Sequence, residues 1–134
     1  MDSTAVRRSV LVADDEPHIG RIIKMKLERG PFDVTLVYDG QEAIDAIDKQ
    51  SPRFDLALLD LMMPERSGLD VLEWLRQSGQ PNLPAVILTA AGQDEQQRSA
   101  MASGATAFIT KPFSPKKLYA LVASLTGIQT EGDE

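Results

Sequence analysis

The sequence predicts an α/β domain built on a five-stranded, doubly wound parallel sheet of flavodoxin-like (βα)5 type, and two observations carry that expectation. Five short apolar runs, Val10 to Ala13, Val34 to Val37, Leu56 to Leu59, Ala85 to Leu88 and Ala107 to Ile109, alternate with five segments of helical period. The runs are apolar throughout instead of alternating, as strands covered by helices on both faces must be. For five such strands the natural order is 2-1-3-4-5, with the ligand crevice at the carboxyl ends of the strands. Val34-Thr35-Leu36-Val37 is the least uniformly apolar run and suits an edge.

Each helix has its own start, stop and inward face. Glu16-Pro17 opens the first, proline suiting an initial turn, and Ile19, Ile22, Ile23 and Leu27 are expected to face the core before Gly30-Pro31 stops it. The second runs from about Gln41 to Lys49 with Ile44 and Ile47 inward, and Ser51-Pro52 ends it. The third, Leu69 to Gln77, offers Leu72 and Leu75. The fourth, about Asp94 to Ser103, is mostly polar, with Ala100 and Met101 its strongest apolar residues, and Gly104 closes it. The last, Pro115 to Thr126, carries Leu118, Leu121, Val122 and Leu125 at helical spacing. A single domain over 9–126 is expected, with polar tails at 1–8 and 127–134.

Composition narrows the function. With 134 residues the chain can bury a core without staples, and its 43% hydrophobic and 25% charged content is that of a soluble globular protein. Cysteine is absent, which removes disulfides, thiolate metal sites and cysteine nucleophiles and fits a reducing cytoplasm. The first residues lack a signal peptide's apolar run, and no stretch reaches the length of a membrane span. A net charge of -6 without a long basic cluster disfavours direct nucleic-acid binding.

The predicted sheet gathers a particular set of polar residues at one edge: Asp14-Asp15 after strand one, Asp60 ending strand three, Thr89 ending strand four, and Lys111-Pro112 after strand five. Converging carboxylates repel one another by roughly 4 kcal/mol per pair at about 4 Å and an effective dielectric near 20, so they call for a cation. Oxygen ligands in a chain without Cys, whose one His sits a turn beyond the acidic pair with a surface or packing role expected, point to Mg²⁺, or Mn²⁺, in place of zinc. Thr89 can donate a hydrogen bond to a phosphoryl oxygen and Lys111 can supply a fixed positive charge. Taken singly these residues have plainer roles: a strand-end Asp often caps the next helix, and Lys before Pro is usually a solvated loop residue. Helix caps do not require acids after strands one and three, a hydroxyl after strand four and a lysine after strand five together.

Ala13-Asp14-Asp15-Glu16, Leu59-Asp60-Leu61-Met62-Met63-Pro64 with Ser67-Gly68, Thr89-Ala90 and Lys111-Pro112-Phe113 resemble, in order and interval, the receiver domains of bacterial two-component response regulators. The likeness spans about Val10 to Leu125. It implies Asp60 as phosphoacceptor, Asp14 and Asp15 at the metal with Asp15 direct and Asp14 through water, and the Met62 backbone carbonyl as a further ligand. It implies a cis Lys111-Pro112 bond and a switch pair in Thr89 and Phe108. It also implies a histidine kinase or phosphotransfer protein as donor, a downstream protein target, and a switch in place of an enzyme with a turnover substrate. Phosphorylation-dependent homodimerisation is left open.

Two other classes share some of these features. A phosphatase with an aspartate nucleophile would want a second acid two residues after Asp60, where Met62 stands. A flavin-binding module would want a first turn that cradles phosphate, and Asp14-Asp15-Glu16-Pro17 repels it. His18, Trp74 and Tyr119 are expected to have surface or packing roles, and Lys24, Lys26 and Arg29 to form a solvated face. The output is unread: no helix-turn-helix or enzymatic segment follows Leu125, as in a stand-alone regulator or a receiver cut from a longer protein.

Overall fold

The structure, a computed structural model, describes residues 6–77 and 80–128. Five strands, β1 (Arg8–Ala13), β2 (Phe32–Val37), β3 (Leu56–Asp60), β4 (Ala85–Thr89) and β5 (Ala107–Thr110), alternate with α1 (Pro17–Leu27), α2 (Gly40–Lys49), α3 (Gly68–Gln77), α4 (Asp94–Ala102) and α5 (Pro115–Thr126). The sheet has the order β2-β1-β3-β4-β5, with every neighbouring pair parallel.

Period-two alternation sends each central strand's side chains to both faces. Leu11, Ala13, Ala57, Leu59, Ala85 and Ile87 join one core with Ala43 and Ile47 of α2, Val71, Leu72 and Leu75 of α3, and Ala100 of α4. Val10, Val12, Leu56, Leu58, Val86 and Leu88 join the other with Ile23 and Leu27 of α1 and Leu118, Val122 and Ala123 of α5. Each such leucine or isoleucine contributes ~1.5–3 kcal/mol by leaving water, which ties the strand ends rigidly to two helical layers.

Several local expectations are corrected. Ile22 does not face the core but is 44% exposed, because the inward line of α1 runs through Gly20, Ile23 and Leu27 and Ile22 is rotated from Ile23 by about 100°. Met101 is likewise exposed, leaving Ala100 as the buried residue of α4. Lys24 is more than a solvated charge. It pairs with Glu28 at 2.9 Å, and together they bond the Val34 carbonyl and N–H, filling the open edge of β2 as a neighbouring strand would.

The stretches expected to be tails partly join the fold: Arg7 reaches Asp33 and the Phe32 carbonyl, β1 opens at Arg8, and Ile128 packs on the α1/α5 core. The remainder, 1–5 and 129–134, lies outside the described residues. His18 is exposed, while Trp74 and Tyr119 are partly buried, Tyr119 meeting Phe32 edge-on at 5.5 Å with Lys26 over its ring.

Candidate functional site

Because the strands are parallel, everything that follows a strand's last residue emerges on one side. β1 ends at Ala13 beside Leu59 of β3, so Asp14 and Asp60 leave adjacent strands at the same level. Asp14 is 1% and Asp60 6% exposed, whereas Asp15 is exposed. One carboxylate oxygen from each of the three lies within 4.8 Å of the others.

Lys111 enters this acidic cluster from the β5 end. Its ammonium lies 2.9 Å from Asp14 Oδ2, 3.1 Å from Glu16 Oε1 and 3.3 Å from Asp60 Oδ2. The Lys111–Pro112 peptide is cis, as is Ser51–Pro52. Glu16 is a partner that sequence reasoning passed over as a helix opener. At the N-cap of α1 its side chain caps nothing and turns to Lys111 instead, a signal hidden in a third acid following Asp14-Asp15.

Burial and the Asp14 charge push the Asp60 carboxyl up to about 7, although Lys111 and the Met62 N–H, 3.3 Å from Asp60 Oδ1, pull the other way. For Lys111, burial works against the charge, but the Asp14, Asp60 and Glu16 carboxylates outweigh it and raise its pKa above the ordinary lysine value. The cluster is therefore acidic, buried at Asp14 and Asp60 but open at Asp15, and only partly neutralised by one lysine. Asp14 Oδ2 faces that ammonium yet receives no hydrogen bond of good geometry. Hard oxygen donors and excess negative charge together fit a small divalent cation.

Thr89, 1% exposed, ends β4 opposite Thr110, with the two hydroxyl oxygens 3.4 Å apart. Phe108 lies two residues earlier on β5 and is 41% exposed. Met62 is also exposed and follows Asp60 at the rim. Gly68 closes the loop that follows Asp60: its N–H bonds the Leu61 carbonyl at 3.0 Å, and a Cβ there would overlap the Asp60 carbonyl oxygen and sit 3.0 Å from Asp60 C and Leu61 Cα. Ser67 and Asp70 then bond reciprocally at the start of α3.

This sheet order with an acidic cluster and a lysine at the strand ends defines a receiver fold of the flavodoxin-like class, and comparison with known proteins agrees. Residues 10–123 match the family described as the response regulator receiver domain. The chain is 38% identical over 125 residues to the probable transcriptional regulatory protein TcrX of Mycobacterium tuberculosis, covering 91% of this chain and 52% of that protein. It is 39% identical over 127 residues to the transcriptional regulatory protein TrcR of the same organism, covering 95% and 46%. The receiver domain of Francisella response regulator 1452 superimposes with a TM-score of 0.81 at 36% identity, covering 90% of this chain and 98% of that one. The chain belongs to the response regulator receiver domain family. It spans about half the length of the curated relatives it matches.

Proposed function

We propose that this chain is a phosphoacceptor switch of two-component signalling in which Asp60 takes a phosphoryl group from the phosphohistidine of a histidine kinase or phosphotransfer protein. The observation that carries the reading is the placement of Lys111 Nζ 3.3 Å from Asp60 Oδ2 inside the Asp14, Asp15, Asp60 cluster. An Asp60 carboxylate oxygen attacks phosphorus in line, the donor's N–P bond breaks, and the imidazole nitrogen leaves with the bonding pair. Lys111 holds positive charge beside the transferring oxygens, and the Thr89 hydroxyl donates to one of them. Asp15 directly, Asp14 through water, Asp60 and the Met62 backbone carbonyl would hold Mg²⁺, with Mn²⁺ as the alternative. When bound, the ion supplies charge neutralisation at the phosphoryl oxygens. Water later hydrolyses the acyl phosphate, so the domain, taken as 9–126, catalyses only its own phosphorylation and dephosphorylation.

The donor must bring its imidazole to the cluster's open side, where α1 leaves Ile22 exposed at 44%. Together with Ile19, Pro112, Phe113 and Pro115 it lines a cavity of about 220 Å³ that also reaches Lys111. This apolar lip next to the site suits a donor helix with an apolar face. A cytoplasmic setting accords with such a donor, and among the described residues no helix is long and apolar enough to cross a membrane. The relatives are named transcriptional regulators. A DNA-binding output would lie in the part of such proteins that this chain does not match, the chain's own charge of -6 being unsuited to the task.

The test is incubation with acetyl phosphate and Mg²⁺: intact-mass spectrometry is expected to show gain of one phosphoryl group that persists on the protein. Steady turnover of an added phosphoester without mass gain would favour a phosphatase, and the absence of both mass gain and turnover would end the reading. Within it, Asp15→Asn is expected to weaken Mg²⁺ binding more than Asp14→Asn, by about tenfold or more, in a titration followed by amide chemical shifts. Equal losses would remove the assignment of Asp15 as the direct ligand.

The signal would leave through Thr89 and Phe108. A Thr89 hydroxyl drawn to the phosphoryl group vacates space that the Phe108 ring enters from its exposed position, reshaping the surface of α4, β5 and α5. α4 suits a movable element, since Ala100 is its one buried residue and its start is held through Gln93, whose side-chain oxygen accepts from Ala90 N at 2.7 Å. Its end is pinned by Arg76, which donates to the Gly104, Pro81 and Leu83 carbonyls. Thr89→Ala should retain part of the Asp60 labelling but lose the phosphorylation-dependent exchange changes of α4 and α5. A wild-type response in Thr89→Ala would sink this route.

A further inference from the structure

We infer that Gly40, at the start of α2 and outside the acidic cluster, is a positioning residue for the loop that follows Asp60: its missing side chain leaves the space in which the Arg66 backbone seats, and this sets the path of residues 61–66. The inference rests on the phosphoacceptor reading and deepens it.

Gly40 is buried, and a Cβ built on it would overlap the Arg66 carbonyl oxygen and lie 2.5 Å from both Arg66 C and Arg66 Cβ. Two of those atoms are main chain, so a methyl group could not be accommodated by turning a flexible side chain. One of the two backbones would have to move.

The α2 side is fixed. Asp39 Oδ1 accepts from Glu42 N at 2.8 Å, and Glu42 Oε1 accepts from Tyr38 N at 2.8 Å, closing the helix start on both sides of Gly40. Ala43 and Ile47 then lock the helix into the core. Helix propensity alone would favour alanine over glycine at this position, so α2 gains nothing from Gly40 except the close approach.

The loop side is constrained too, and its constraint leads to the site. Arg66 N bonds the Pro64 carbonyl at 2.7 Å across Glu65, whose φ of 68° lies in the left-handed region that side chains other than glycine's seldom adopt. The same Pro64 carbonyl receives Gly40 N in a long contact of 3.5 Å. Met63 packs on the core, and at the near end Met62 N reaches Asp60 Oδ1 at 3.3 Å. Displacing Arg66 therefore drags a strained turn whose other end carries the Met62 backbone beside Asp60. Local strain of this kind persists where the surroundings over-determine it, and Gly40 is the part of the surroundings that α2 supplies.

The test is Gly40→Ala, read by amide shifts, Mg²⁺ titration of the folded protein and acetyl phosphate labelling. The expected result is a shift confined to residues 60–66, a half-saturating Mg²⁺ concentration raised about tenfold or more, and slower labelling. Adding Glu65→Gly relaxes the left-handed position and should recover part of the Mg²⁺ affinity, while Glu65→Gly alone should leave it near the wild-type value, so that the recovery reports the contact with Gly40 and not a general effect of the added glycine. Wild-type Mg²⁺ affinity in Gly40→Ala, or a loss that Glu65→Gly does not relieve, would overturn the inference. If Gly40→Ala alone does not fold, the double variant decides: restored folding supports the contact, and failure of both places Gly40 in the core and overturns it. Absence of labelling in the wild-type protein would instead bring down the parent reading, while an absent Mg²⁺ response in the wild type would bring down both.

Discussion

Asp60→Asn is expected to abolish Mg²⁺-dependent labelling by acetyl phosphate while leaving the fold intact. The amide keeps the shape of the side chain and removes the nucleophilic oxygen charge, so the loss should be complete instead of partial. The fold should tolerate it because the native carboxyl already holds its proton to about pH 7, pushed there by burial and Asp14. A neutral group is what that position accepts at lower pH. Lys111 loses one of its three partners but retains Asp14 at 2.9 Å and Glu16 at 3.1 Å. Circular dichroism should match the wild type, and intact-mass spectrometry should show no gain. Undiminished labelling of Asp60→Asn would move the acceptor elsewhere.

How far the sequence revealed this arrangement depends on which interactions are local. The central strands were legible because burial on both faces leaves an unbroken apolar run, as in Leu56 to Leu59. The strand-end residues followed from the parallel order: once Asp14 follows one strand and Asp60 and Thr89 end two others of the same sheet, they share an edge. What escaped depends on long-range packing. Ile22 has the composition of a core residue, and only the orientation of α1 on the sheet exposes it. Glu16 reads as a helix opener until Lys111, 95 residues away, is seen to take its carboxylate. Gly40 falls just before the segment expected to form the second helix and drew no attention there, and only the approach of Arg66 gives it meaning.

Metal-free stability is set by attraction to Lys111 as well as by repulsion among the acids. Lys111 lies 2.9 Å from Asp14, so neutralising Asp14 removes a repulsive charge and an attractive partner at once, and any gain from Asp14→Asn is reduced accordingly. The clearer signature belongs to Asp60, which lies farther from that lysine and carries a raised pKa.

Without divalent metal, the protein should lose stability as the pH rises from about 4 to about 7, with Asp60 contributing a slope of up to ~1.4 kcal/mol per pH unit. The folded Asp60 carboxyl holds its proton to about 7, whereas in the unfolded chain it releases it near the ordinary value of 3.8. Between those values the folded state binds more protons than the unfolded one. The contribution is thus fully present below the unfolded pKa and lost as the pH passes through the folded one. Lys111, with its pKa raised, stays charged throughout and adds no slope. Mg²⁺ requires the ionised carboxylates, so its stabilising effect should be small near about pH 5, where protons compete, and large near about pH 8. Other carboxylates titrate in the same range, and the informative quantity is the difference between wild type and Asp60→Asn. Urea unfolding of both proteins across that range, with chelator and with Mg²⁺, measures it. Asp60→Asn should show a flatter metal-free profile and a much smaller Mg²⁺ effect at the alkaline end. A wild-type protein that instead gains stability relative to Asp60→Asn as the pH rises without metal would mean that Asp60 is ionised and well paired in the resting fold. The raised carboxyl pKa would then be wrong.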